Sequence, residues 1–232
     1  MSEGAGIAED ATLRPGLAVV VLISGGGSNL QALIEAQSHW PYRIVAVVSN
    51  EAAAGGLALA RRADIPTEIL SHRGFADRSA YDQALAAIID RHAPGLVVLA
   101  GFMRILTPAL VARYAGRMLN IHPSLLPKFR GLNTHRQALE AGAADHGASV
   151  HFVTAELDGG PVIAQTRVPI LPGDDPPTLA ARVLVQEHRL LPRVVGWFAQ
   201  GRLQLTPDGQ VRLDGAILSA PWRLEPGDSA AT

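Results

Sequence analysis

The sequence contains no cysteine. That excludes disulfides and thiol nucleophiles and removes the thiolates on which most structural zinc sites depend. No apolar run approaches the roughly 20 residues that a membrane-crossing helix needs. An excess of either charge is also missing. The 20 Lys and Arg residues stand against 21 Asp and Glu, a formal net charge of -1, whereas a surface that coats nucleic acid normally carries a strong basic excess. Residues 1–15 are acidic and rich in small residues, without the basic and apolar segments of a secretory signal. The expectation is a cytoplasmic protein, monomeric or homodimeric, with neither a membrane nor a nucleic acid as partner. What is present is 232 residues, 48% of them hydrophobic, enough for one large domain or two closely joined lobes.

The first half alternates short apolar runs with helical spacing. Residues 17–23 are apolar throughout, the pattern of a strand buried on both faces. Further strands are expected over 44–48, 67–70 and 96–100, with helices over 29–36, 56–63 and 81–92. In the last of these Leu85, Ile88 and Ile89 mark one face. This alternation implies an α/β fold with a mostly parallel sheet flanked by helices. The second half is less regular. Strands are expected over 118–121, 148–154 and 162–168, and helices over 135–141 and 176–200. A terminal hairpin is expected over 202–213, turning at Pro207-Asp208-Gly209. In the strand over 148–154, Ser149, His151 and Val153 face opposite to Val150 and Phe152. The domain plan is a flexible extension (1–16), a main domain (17–205), and a hairpin remainder with a loose tail (206–232).

Between the first strand and first helix lies Ser24-Gly25-Gly26-Gly27-Ser28-Asn29. Glycines let backbone N–H groups crowd an anion, and the helix N-terminus adds a favourable field. Ser28 or Asn29 is placed to cap the helix. No Gly-Lys-Ser/Thr comes after it, so this is not a Walker A loop. Leu30 stands where a dinucleotide fingerprint requires its third glycine. A site for one phosphate, as in a phosphomonoester, fits better than a merely tight turn.

The second informative stretch is Asn120-Ile121-His122-Pro123-Ser124-Leu125-Leu126-Pro127. Residues two apart on a strand share a face, so Asn120 and His122 project together where the strand ends. Pro123 and Pro127 stop regular structure and stiffen the loop they begin. An amide beside an imidazole offers a fixed dipole and a switchable proton, which acyl or formyl transfer needs; a polar strand end entering a proline-rich loop is the plainer alternative. Gly101-Phe102-Met103-Arg104-Ile105-Leu106 comes after the fourth strand, at the carboxyl edge where open α/β sheets bind ligands. Downstream lies Glu156-Leu157-Asp158-Gly159-Gly160, in which Asp158 has the context of a turn residue. His135, His146 and His151 match no metal-ligand spacing, and no metal is expected.

Taken together, LISGGGSNLQALI, AGFMRILTP, GRMLNIHPSLLPKFRGLNTH, HGASVHFVTAELDGGPVIAQ and QEHRLLP resemble the folate-dependent phosphoribosylglycinamide formyltransferase family over about residues 17 to 205. The resemblance implies a Rossmann-like formyltransferase fold, with a phosphate-binding half (17–100) and a folate and catalytic half (101–205). It implies formyl transfer from 10-formyltetrahydrofolate to the amine of glycinamide ribonucleotide, in purine biosynthesis. Asn120, His122 and Asp158 would be catalytic, with Ser149 anchoring a water or orienting His122. Gly27, Ser28 and Asn29 would bind the phosphate, and Glu187 the ribose hydroxyls or the amine. Arg78, Met103, Arg104, Ile105, Leu106, Asn120, Thr154, Ala155, Glu156, Leu157 and Asp158 would line the folate pocket. Two positions depart from the pattern: Gly26 stands where relatives often have a polar residue, and Asn133 where some carry histidine.

Related readings fit less well. A methionyl-tRNA formyltransferase would be expected to carry a further tRNA-binding domain, and a formyltetrahydrofolate deformylase a regulatory domain ahead of the first strand. A non-catalytic folate or nucleotide binder would not need Asn120, His122 and Asp158 together. A dehydrogenase is weakened by Leu30.

Overall fold

The computed structural model describes residues 16–225 and 228. Its first half is a regular alternation: β1 (Leu17–Ile23), α1 (Ser28–Ala36), β2 (Tyr42–Ser49), α2 (Gly55–Arg62), β3 (Thr67–Ile69), α3 (Arg78–Arg91) and β4 (Leu96–Leu99). Then come α4 (Pro108–Arg113), β5 (Met118–His122), α5 (Thr134–Glu140), β6 (Asp145–Phe152), β7 (Val162–Pro169) and the long α6 (Pro176–Ala199). Short strands β8 (Leu203–Leu205), β9 (Val211–Leu213), β10 (Ala216–Ile217) and β11 (Trp222–Leu224) complete it.

The main sheet has eight strands in the order β11-β7-β6-β5-β4-β1-β2-β3. β6 is antiparallel to both of its neighbours, and every other pairing is parallel. Burial on both faces explains the unbroken apolar runs. Val19, Val21 and Ile23 of β1 enter a core built with α1, α2 and α6, while Val20 and Leu22 enter a second core built with α3 and α4. β5 starts the same alternation with Met118, Leu119 and Ile121 and then changes character, because Asn120 and His122 occupy the face that Met118 opens. Ser149 and His151 of β6 lie directly across from His122 and Asn120. Polar side chains therefore replace the apolar core where the sheet passes beyond α4. No helix among the described residues is long and apolar enough to cross a membrane.

The structure differs from the sequence expectations in four places. Neither Ser28 nor Asn29 caps α1; Gly27 does, at φ 83, with no side-chain bond. The short helix α4 has no counterpart among the expected elements, although Thr107, whose hydroxyl accepts from Leu110 N–H, and Pro108 at its first turn mark its start. The terminal hairpin gains a third strand, β10. The segment expected to be a loose tail supplies β11, which pairs with β7 as an edge of the main sheet. Trp222 packs edge-on against Trp197 at 5.0 Å, which fixes that edge to α6. Residues 1–15 lie outside the described residues.

Helix α6 is held against Trp40 at Gly196, where an added Cβ would stand 2.2 Å from the indole Cδ2. The Gly196→Ala variant is expected to lose about 1–3 kcal/mol by overpacking, read as a lower urea midpoint with an unchanged slope. An unchanged midpoint would contradict the packing.

Candidate active site

The site lies on the polar face of β5 and β6. Asn120 Nδ2 is 3.1 Å from His151 Nε2. His151 Nδ1 is 2.9 Å from the carbonyl oxygen of Phe152, which can only accept, so Nδ1 carries the proton. Burial pushes the His151 pKa down, partly offset by that carbonyl and by Asp158, and the ring is neutral at pH 7. A neutral ring protonated on Nδ1 offers Nε2 as an acceptor. Asn120 must therefore present its NH2 group to His151, leaving a second N–H for the cavity.

His122 is 5% exposed. Its Nδ1 stands 3.5 Å from Asp158 Oδ2, and its Nε2 donates to the Phe129 carbonyl oxygen at 2.9 Å. Asp158 comes from the loop after β6, at φ 48, a left-handed conformation that Asp and Asn tolerate better than most residues. Gly131 N–H also donates to Asp158 Oδ2, at 2.9 Å. Asp158 Oδ1 is 3.8 Å from His151 Nε2, too far for a hydrogen bond. The carboxylate thus faces His122 and ties down the 128–133 loop, in which Phe129, Gly131 and Asn133 all have positive φ.

Two adjoining cavities open here, of about 120 and 490 Å³. They share Phe102, Arg104, Ile105, Asn120, Leu157 and Asp158; Leu106, Thr154, Ala155 and Glu156 line the smaller one, and Met103 and His122 the larger. Met103 and Leu132 are 68% and 72% exposed at the rim. Large apolar side chains left open around a polar floor mark a ligand surface.

Not every expected residue joins this group. Ser149 faces the right way, but its hydroxyl donates to the Ser124 carbonyl oxygen (2.7 Å) and accepts from Leu126 N–H (3.1 Å) and Gln165 Nε2 (2.9 Å). It ties the proline-rich loop to β6, directly across from His122. Arg78 begins α3 and lines neither cavity. His151 has no signature in the sequence beyond that of an ordinary histidine, and it is the residue that orients the Asn120 amide. The available signal is its place two residues from Ser149, on a face opposite the apolar one.

The glycine-rich loop expected to take a phosphate connects the end of β1 to α1. Gly27 accepts no substitute: a Cβ there would lie 2.5 Å from Gly56 Cα, at a φ that disfavours side chains. Because no side chain caps α1, its first N–H groups face the loop. Asn29 Nδ2 donates to Glu187 Oε2 at 2.6 Å, and burial raises the Glu187 pKa against that bond. A buried hydrogen bond thereby joins the start of α1 to Glu187 of α6.

Open α/β topology, a glycine-rich loop after β1, and an Asn–His–Asp group beside an apolar cavity are the features of a group-transferring enzyme. The family model for formyl transferases matches residues 17–195. The phosphoribosylglycinamide formyltransferase of Escherichia coli K12 is 58% identical over 202 residues, covering 86% of this chain and 95% of that one. The corresponding Haemophilus influenzae enzyme is 46% identical over 202 residues, with the same coverage. A solved phosphoribosylglycinamide formyltransferase from Coxiella burnetii superposes with a TM-score of 0.86 at 51% identity, covering 90% of this chain and all of that one. The chain belongs to the phosphoribosylglycinamide formyltransferase family.

Behind the 128–133 loop, His146 Nε2 is 3.1 Å from His135 Nδ1, and the His146 ring packs on Phe129. Burial, then the neighbouring His135 and His122, push His146 down to about 4, and His135 is lowered in the same way. The unfolded chain takes up these protons near pH 6.5, before the folded one does, so stability falls as pH drops from about 6.5 to 4. Thermal melts from pH 7.5 to 4.5 should show this decline, and His146→Leu should flatten it. Parallel wild-type and variant curves would contradict the assignment.

Proposed function

We propose that this protein transfers the formyl group of 10-formyltetrahydrofolate to the primary amine of glycinamide ribonucleotide, giving formylglycinamide ribonucleotide and tetrahydrofolate in purine biosynthesis. The observation that carries the reading is Asn120 and His122 at the end of β5 meeting Asp158 from the loop after β6, beside an apolar cavity. Residues 17–100 supply the phosphate-binding half, and residues 101–205 the folate and catalytic half. The cytoplasm is the proposed compartment.

Gly27, Ser28 and Asn29 take the substrate phosphate, and Glu187 its ribose hydroxyls. The walls formed by Met103, Arg104, Ile105, Leu106 and residues 154–158 suit a flat heteroaromatic donor. As the amine nitrogen bonds to the formyl carbon, the formyl oxygen becomes an oxyanion. Asn120 donates its free N–H to that oxygen, a contact worth about 3 kcal/mol in comparable sites. His122 supplies a second donor once the Phe129 carbonyl releases Nε2. The carbon–nitrogen bond to the folate then breaks. The proton lost by the amine passes, through Asp158 and His122, to the leaving folate nitrogen, so the enzyme ends as it began. Asp158 stands where it compensates positive charge on His122 during this transfer.

Purified protein is expected to turn over both substrates, monitored by folate absorbance; no turnover at micromolar enzyme would overturn the proposal. Asp158→Asn keeps the side-chain shape and tolerates the same φ. It should lower kcat by about 10²–10⁴-fold while glycinamide ribonucleotide still binds within a few-fold of wild type. Loss of binding together with the fold would make Asp158 structural.

A further inference from the structure

Ser24 plays no part in the chemistry above, yet it sits where the two substrate regions meet. It comes directly after the last residue of β1 and precedes the phosphate-loop glycines. Its hydroxyl donates to Asn50 Oδ1 at 2.5 Å and accepts from Met103 N–H at 2.7 Å. Its own N–H donates to the Gly101 carbonyl oxygen at 3.1 Å. Asn50, 4% exposed, lies just past the end of β2, and Gly101 and Met103 lie just past the end of β4. In the sheet β1 runs between β2 and β4. One hydroxyl thus laces together the carboxyl ends of three neighbouring strands, 79 residues apart in sequence at its widest.

The direction of the chain of bonds is fixed. A backbone N–H can only donate, so Met103 donates to Ser24 Oγ. The Ser24 proton must then go to Asn50 Oδ1, because a hydroxyl has one proton to give. Bonds aligned in this way polarise one another. Asn50 Nδ2 in turn reaches Glu51 Oε1 at 3.3 Å, which sets which way the amide points. The two ends of the chain differ in what they border. Ser24 leads into the loop proposed to hold the phosphate, whose Gly25 carbonyl oxygen accepts from Gly56 N–H at 3.1 Å. Met103 opens the segment whose side chains wall the larger cavity, and its own side chain is 68% exposed. An exposed wall residue of this kind owes its position to its backbone, and Ser24 holds that backbone.

We infer that Ser24, oriented by Asn50, is a positioning residue that couples the phosphate loop to the Met103–Leu106 wall, so that binding of the phosphorylated acceptor and of the folate donor reinforce each other. This rests on the formyl-transfer reading. With the link in place, ordering the phosphate loop also orders the wall, and the second ligand has less freedom to remove on binding. Without it, each ligand must order its own segment.

The test compares Ser24→Ala, which loses both hydroxyl bonds, with Ser24→Thr, which keeps the hydroxyl. The KM of each substrate is measured at low and at saturating concentrations of the other. In wild type, saturating glycinamide ribonucleotide should lower the KM for 10-formyltetrahydrofolate. In Ser24→Ala both KM values should rise about tenfold, the loss of roughly one hydrogen bond to a group left unpaired. The dependence of one KM on the other substrate should disappear, and kcat at saturation of both should stay within threefold. Ser24→Thr should restore the coupling. If Ser24→Ala lowers Tm but leaves both KM values and their mutual dependence as in wild type, Ser24 is merely structural and the inference fails. If Ser24→Ala does not fold, Asn50→Ala decides: without its acceptor the Ser24 hydroxyl is free to turn from Met103, so the mutual dependence of the two KM values should weaken, and an unchanged dependence overturns the inference. Wild-type protein without turnover would instead contradict the activity itself, a separate outcome.

Discussion

The site depends on one cross-strand contact, Asn120 Nδ2 to His151 Nε2. Asn120 is useful only if an N–H group faces the cavity, and an unconstrained amide presents its oxygen as readily as its nitrogen. His151 removes that ambiguity. Its Nδ1 proton is committed to the Phe152 carbonyl oxygen and burial keeps the ring neutral, so Nε2 can only accept. The same neutrality leaves Asp158, 3.8 Å from that nitrogen, directed at His122. Two histidines on one face of the sheet thus differ in their partners: His151 fixes the Asn120 amide, and His122 faces the Asp158 carboxylate.

The fold makes this possible by leaving part of a sheet face without a helix. Beyond Met118 the core built with α3 and α4 gives way to polar side chains, and the loops after β5 and β6 close over them. Ser149 and Gln165 bind backbone groups of the proline-rich loop, which keeps its entry fixed beside His122. Further along, the loop has positive φ at Phe129 and Asn133, conformations that most side chains avoid. The loop thus has a fixed entry leading into a stretch with unusual backbone, where the Phe129 carbonyl oxygen accepts from His122 Nε2.

Much of this is legible in the sequence. β1 and β4 are readable because burial on both faces demands uninterrupted apolar residues, and Asn120 with His122 because a period of two puts them on one face. The glycine-rich loop is readable from its place between strand and helix, but its cap is not: Gly27, not Ser28, stands at the cap, in close contact with Gly56, which sequence spacing does not reveal. Helix α4, six residues long, is too short to show a period. β11 reads as a tail because Pro, Gly and Ala surround it, and its stability comes from Trp222 against Trp197, a contact between distant residues. His151 escapes a sequence reading for a similar reason. Its role depends on the register that sets it opposite Asn120.

The protonation state of His151 tests the arrangement most directly. In ¹⁵N-histidine-labelled protein, the His151 ring should appear neutral at pH 7, with the proton on Nδ1 and Nε2 bare. A charged ring at pH 7, or a proton on Nε2, would turn the Asn120 amide around and contradict its assignment as the donor to the formyl oxygen.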